Sequence, residues 1–277
     1  MGVVNITPDS FSDGGRFLDS ESAIAHALAL LDAGADLLDL GAESTRPGSQ
    51  AGNPTEAAVS AEEEQARLLP VIEGILKHRP DAILSADTYK SATARAALAA
   101  GVEIINDVSG FAWDEAMPRV CAESGCGVVL MHTRGRPDEW RTQAKLTAET
   151  LIETIRAGLS ESLAFAAGAG ILAEAIVLDP GYGFGKKFDE NYTVLAHQAE
   201  FLTLGRPLLA GVSRKSFLGH TLAPLFGGNV APVESREIAG IAALVAAILN
   251  GASIVRVHDV RPAVEAARIA DAVLAAK

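Results

Sequence analysis

The run Ala175-Ile-Val-Leu-Asp179 is apolar for four residues and then stops at a carboxylate. Seven other stretches follow the same plan, at 2–5, 36–43, 82–87, 102–107, 127–132, 208–213 and 254–258. Each is largely apolar and each ends in a polar or ionisable residue. Short runs that are apolar on both faces are what strands of a buried parallel sheet require. The chain between them reads as helix at 20–33, 61–77, 89–100, 114–124, 148–167, 191–202, 236–250 and 262–275. Ser-Glu-Ser at 20–22 is the expected opening of the first helix, and Gly34, Gly101, Gly125, Gly168 and Gly251 are expected stops. Eight strand–helix units in strict alternation predict a single-domain (β/α)8 TIM barrel over residues 1–277, with its active site at the C-terminal ends of the strands. A doubly wound open sheet is the competing arrangement, but no Gly-x-Gly-x-x-Gly turn follows the first run.

Composition agrees with one large core. The chain has 277 residues, 49% of them hydrophobic, and a net charge of −12. That charge argues against nucleic acid as a partner, and no apolar run approaches the roughly 20 residues of a membrane span. Met1 leads straight into the first strand, so no secretory signal is expected and the location is expected to be cytoplasmic. Cys121 and Cys126 are read as packed, reduced thiols, and the sequon Asn5-Ile6-Thr7 as a chance match. Two stretches after strand ends, 7–19 and 42–58, are long and rich in Gly, Ser, Pro and acidic residues, and are expected to be mobile binding loops.

The polar strand ends carry the functional reading. They include Asn-Ile-Thr-Pro-Asp-Ser-Phe-Ser-Asp-Gly-Gly15, Gly41-Ala-Glu-Ser-Thr-Arg-Pro-Gly48, Ser85-Ala-Asp-Thr88 and Asn106-Asp-Val-Ser-Gly110. Later in the chain come Leu178-Asp-Pro-Gly-Tyr-Gly-Phe-Gly-Lys186, Gly211-Val-Ser-Arg-Lys-Ser-Phe-Leu-Gly219 and Val255-Arg-Val-His-Asp259. In this order, over nearly the whole chain, they resemble the dihydropteroate synthase family of pterin-binding barrels. The resemblance implies a transferase that joins 6-hydroxymethyl-7,8-dihydropterin diphosphate to p-aminobenzoate and releases diphosphate.

That chemistry can be set against residue types. A carboxylate at Asp179 can accept two parallel donors from a guanidine-like pterin edge, and Lys215 can donate to the ring carbonyl. Asn106 and Asp87 offer mixed groups to the remaining ring nitrogens. Arg256 and His258 alternate about Val257, so both face one side of the last strand, and with Arg46 they are expected to bring positive charge to the diphosphate, which Asn5 and Thr45 also meet. Asp87, Asp179, Lys215 and Arg256 are the residues expected to carry catalysis. By resemblance Asn5 helps hold Mg2+, with Asp9 and Asp13 nearby, and an oxygen-ligated ion that keeps its waters suits so few ligands. Also by resemblance, Ser216 meets the p-aminobenzoate carboxylate while Phe11, Pro47 and Phe184 wall its ring. Phe184 reads equally well as plain core.

Gly181-Tyr-Gly-Phe-Gly-Lys-Lys187 resembles a phosphate loop but is one residue short and lacks the following Ser/Thr, so a turn lining the pterin pocket is the expected role. Asp39 and His132 receive no role beyond lining or supporting the pocket. A homodimer through the last helices and sensitivity to sulfonamides are further family expectations. The alternatives are a methyltetrahydrofolate–corrinoid methyltransferase on the same barrel and a non-catalytic pterin-binding paralogue.

Overall fold

Strands and helices alternate along the chain in the computed structural model, which describes residues 1–6, 15–45, 49–53 and 58–276, and only the backbone of 15–19. The strands are β1 (Gly2–Asn5), β2 (Leu37–Gly41), β3 (Ile83–Asp87), β4 (Ile104–Asp107), β5 (Gly127–Met131), β6 (Ile176–Asp179), β7 (Leu208–Ala210) and β8 (Ala252–Val255). The helices are α1 (Gly15–Asp32), α2 (Ala61–His78), α3 (Ser91–Ala99), α4 (Met117–Ser124), α5 (Ala148–Ala169), α6 (Phe188–His197), α7 (Ser216–Thr221), α8 (Glu237–Leu249) and α9 (Val260–Ala275).

The sheet order is β1 to β8 in sequence, and every neighbouring pair is parallel. Beyond β8, Val257 bridges Gly2 in parallel, with bonds from Val3 N to Val257 O (2.9 Å) and from Val257 N to Met1 O (3.0 Å). The first and last strands therefore meet, as a (β/α)8 barrel requires.

Side-chain alternation splits the strands into two faces. The outward residues, among them Val4, Leu38, Leu40, Leu84, Ile105, Leu130 and Leu178, join the helices in one large buried cluster. The inward face is most apolar at its floor. There Met1, Val129 and Leu209 are buried together, with Leu37, Ile104, Val177 and Ile254 packed against them. One step further along the same strands the inward positions become Asp39, Asn106, Asp179 and Arg256. An apolar plug beneath an ionic layer thus follows directly from the strand phase.

The helix ends obey local chemistry. Ser60 caps α2 by accepting from Glu63 N (3.1 Å), with acidic Glu62, Glu63 and Glu64 in the first turn and Lys77 and His78 in the last. Thr147 caps α5 through Thr150 N (3.2 Å). Several expected bounds move. α1 begins at Gly15, so Ser20 is an interior residue and the first loop is shorter than 7–19. α5 runs through Gly168 and stops at Gly170, which adopts φ 86°. α6 starts at Phe188 and gives way to a 3-10 turn over Gln198–Leu204. β8 lies two residues earlier than expected, and its register with β7 slips between Leu208 and Leu209. α7 is an added short helix in the β7–α8 connection.

Candidate functional site

Asp39, in the middle of β2, is fully buried. A carboxylate there needs partners, and the barrel register supplies three. Its Oδ1 accepts from Ser85 Oγ (2.7 Å), and its Oδ2 accepts from Asn106 Nδ2 (3.0 Å) and Arg256 Nε (2.6 Å). Arg256, just past β8, reaches across the barrel and also donates from Nη2 to Asp87 (2.8 Å). Burial works against the guanidinium charge, but the Asp39 and Asp87 carboxylates more than offset it and hold its proton above the usual arginine range. Burial pushes Asp87 up to about 7 even beside Arg256.

Across the mouth, Asp179 ends β6 and is almost wholly buried. Its Oδ1 accepts from Gly181 N (2.7 Å). Burial raises its carboxyl above the ordinary value, against that bond and the neighbouring Lys215 and Lys186. The Gly181–Gly185 turn is seated on the end of β5. A Cβ on Gly181 (φ 73°) would lie 2.0 Å from the carbonyl oxygen of His132, so only glycine fits there. Lys215 places its Nζ 4.1 Å from the Phe184 ring centroid, and burial lowers it to about 8. Phe184 also meets Trp140 edge-on, with centroids 5.1 Å apart. Phe184 is therefore half-buried in a small apolar group with Ala51, Tyr89, Val108, Met131 and Trp113 at the mouth, not in the main core.

His258 pairs through Nδ1 with Ser213 Oγ (3.1 Å). Burial, then the charge of Arg256, lowers it to about 3. This corrects its reading as a positive group: the ring is neutral at pH 7 and offers hydrogen bonding. Asn5 is exposed at the end of β1, in register with Gly41. Ser216 is the exposed first residue of α7, and Thr45 is half-buried past β2. Phe11, Arg46 and Pro47, with Asp9 and Asp13, lie outside the described residues.

Sequence reasoning gave Asp39 no role beyond lining or supporting the pocket, although a carboxylate inside an apolar strand is itself a signal for a charged hub. It also passed over Glu43, Glu64 and Lys90. Lys90 Nζ binds Glu43 (2.5 Å) and Glu64 (3.3 Å), and Glu64 further accepts from Thr88 and Thr93 hydroxyls (3.1 and 2.6 Å). This cluster anchors the start of the second long loop to α2 and α3.

Carboxylates and cations thus gather at the C-terminal ends of the strands. The model of the pterin binding enzyme family matches residues 1–258. The dihydropteroate synthase of Escherichia coli strain K12 is 41% identical over 277 residues, covering all of this chain and 92% of the relative. The chain belongs to the dihydropteroate synthase family. Solved structures agree. Xanthomonas albilineans dihydropteroate synthase with 4-aminobenzoic acid superposes with a TM-score of 0.86 at 40% identity, over 99% of this chain and 92% of that one. The Yersinia pestis dihydropteroate synthase–sulfonamide complex gives 0.87 at 39% identity, over 100% and 94%. Family membership makes this chain a transferase of the dihydropteroate synthase type. Among the described residues no helix is long and apolar enough to cross a membrane.

Proposed function

We propose that the charged cluster at the C-terminal strand ends is the active site, and that it condenses 6-hydroxymethyl-7,8-dihydropterin diphosphate with p-aminobenzoate to give 7,8-dihydropteroate and diphosphate. The observation that carries this assignment is the opposition of Asp179, an acceptor, to Lys215, a donor, with Asn106 held by Asp39 on the facing wall. Asp179 uses one lone pair on Gly181 N, so both oxygens can still accept from a guanidine-like edge. The amide of Asn106 is oriented by its bond to Asp39, which leaves its carbonyl oxygen as an acceptor for a pterin N–H.

The chemistry asks for leaving-group neutralisation more than for a nucleophile. The arylamine of p-aminobenzoate is neutral at pH 7. The bond from the hydroxymethyl carbon to diphosphate breaks, the amine forms a new C–N bond to that carbon, and the amine proton leaves to diphosphate or solvent. Arg256 receives the departing charge through the part of its guanidinium not engaged by Asp39 and Asp87, and His258 adds a hydrogen bond. Asp87 and Asp179 stabilise positive charge on the dihydropterin. Ser216 and Phe184, with Phe11 and Pro47, serve the second substrate, where sulfonamides would compete.

Magnesium is part of the proposal. Among the described residues no three His, Cys, Asp or Glu side chains gather to hold an ion, and Asn5 offers a single amide oxygen. A hard cation that takes most of its ligands from diphosphate and water fits so sparse a set. Bound there, it would neutralise diphosphate. A homodimer is proposed through the outer face of α6–α8, where Tyr192, Leu218, Leu222, Ala239 and Ala246 frame an apolar groove. The cytoplasm is the proposed location, in keeping with the free thiols Cys121 and Cys126.

The test is chromatographic detection of dihydropteroate from the purified chain, with and without magnesium. Product that requires both substrates supports the assignment. Pterin binding without product identifies a non-catalytic pterin-binding protein, and methyl transfer to a corrinoid identifies the methyltransferase.

A further inference from the structure

Lys186 is the lysine of the phosphate-loop-like stretch, yet it turns into the protein. It is 7% exposed, and its Nζ donates to three main-chain carbonyls: Gly181 O (2.7 Å), His132 O (3.1 Å) and Phe184 O (3.3 Å). Three N–H groups meet three acceptors, which is the full donor capacity of an ammonium.

The residues so held are the ones around Asp179. His132 donates its N–H to the Asp179 carbonyl (2.9 Å) and gives its own carbonyl to Lys186. Gly181 donates its N–H to the Asp179 carboxylate and gives its own carbonyl to Lys186. Phe184, the third partner, carries the ring beneath Lys215. One ammonium therefore fixes both peptides that clamp Asp179, as well as the aromatic wall beside it.

We propose that Lys186 is a positioning residue for this reaction, setting the Asp179 carboxylate and the Phe184 ring in the geometry in which pterin and p-aminobenzoate meet. The proposal rests on the reading of Asp179 as the pterin acceptor and of Phe184 as a p-aminobenzoate wall. A buried cation bound to carbonyls is a costly staple where a neutral donor could serve. Its charge has a target in Asp179, whose field opposes the effect of burial, which lowers Lys186 to about 7.

The experiment compares wild type with Lys186→Met and Lys186→Gln. Calorimetry gives the pterin diphosphate affinity, steady-state kinetics give kcat and the KM for p-aminobenzoate, and tryptophan emission reports Phe184 through its neighbour Trp140. The emission is read in a Trp113→Phe background, because the chain has two tryptophans. Loss of bonds to a charged group predicts that Lys186→Met binds pterin diphosphate roughly tenfold more weakly, with a raised KM and a shifted Trp140 emission in the ligand-free state. Lys186→Gln, which keeps two donors, falls between. Folded variants with affinity and KM within about twofold of wild type overturn the proposal, even if they melt earlier. Failure of both variants to fold also overturns it, because the lysine is then a structural staple. A wild type that makes no dihydropteroate counts against the functional reading instead, and the Trp140 shift then still tests the geometry.

Discussion

The two halves of the barrel mouth bury opposite excesses of charge. On the side of β2, β3 and β8, the carboxylates Asp39 and Asp87 share one guanidinium, that of Arg256. On the side of β6 and β7, the two ammoniums Lys186 and Lys215 share one carboxylate, that of Asp179. The first half is built from side chain to side chain, so strand register alone assembles it. The second is built from side chain to backbone, so it depends on the conformation of the glycine turn. Each half is one counter-charge short, and burial penalises the surplus group: Asp87 rises, while both lysines fall.

The largest effect is expected where the register-built half loses its hub. Asp39→Ala leaves Arg256 buried with Asp87 alone and strips Asn106 and Ser85 of their acceptor. Breaking a buried pair from one side costs about 3–5 kcal/mol. Urea unfolding should show a loss of that size. Loss of under about 1 kcal/mol, the range of an exposed pair, would mean that Asp39 does not hold this half together.

Gly181→Ala attacks the turn-built half and should cost less stability. The added Cβ meets the His132 carbonyl, and the turn must give way to a strained φ, for about 1–3 kcal/mol. Its signature is selective: pterin affinity falls with Asp179, while the Asp39–Arg256–Asp87 triad stays intact. Calorimetry on the pterin and unfolding midpoints on the protein together separate the two halves. Equal damage to both would erase the distinction.

The same contrast explains what was legible in the sequence. Asp87, Asn106, Asp179 and Lys215 sit at strand ends whose residue types already match a pterin edge, and the apolar runs placed them at one end of the barrel. Asp39 was visible as a carboxylate in an apolar strand, but its partners at 85, 106 and 256 come from three other strands, and only closure of the sheet joins them. The neutrality of His258 follows from burial and from Arg256 beside it, neither of which is written in Arg-x-His. Gly168 looked like a helix stop because glycine can end a helix; the left-handed turn falls at Gly170 instead, and α5 runs on to Ala169. The glycine stretch before Lys186 is already set aside as a phosphate loop because it is one residue short, but the three carbonyls that Lys186 meets come together only in the folded turn.

A smaller effect tests the charge excesses themselves. Asp87 holds its proton up to about 7 in the fold but only to its ordinary 3.8 in the unfolded chain. Its stabilising contribution is therefore complete below 3.8 and is lost as pH rises through about 7. Lys186 and Lys215 have the opposite sign. They release protons at about 7 and 8 in the fold against 10.5 unfolded, so their contribution is present above 10.5 and is lost as pH falls through those values. The ligand-free protein should consequently pass through a stability minimum near neutral pH, with each limb rising by no more than about 1.4 kcal/mol per pH unit for each proton involved. Urea midpoints from pH 5 to 10 at constant ionic strength check this. Asp87→Asn should flatten the acid limb, which Asp107 and Asp179, both raised by burial, keep from vanishing. His258 and His132, both lowered by burial from 6.5, oppose that limb because their contribution is lost as pH falls. Lys186→Met should flatten only the alkaline limb. A profile with its maximum at neutral pH would mean that the pocket is already charge-balanced, and that its substrates are not what completes it.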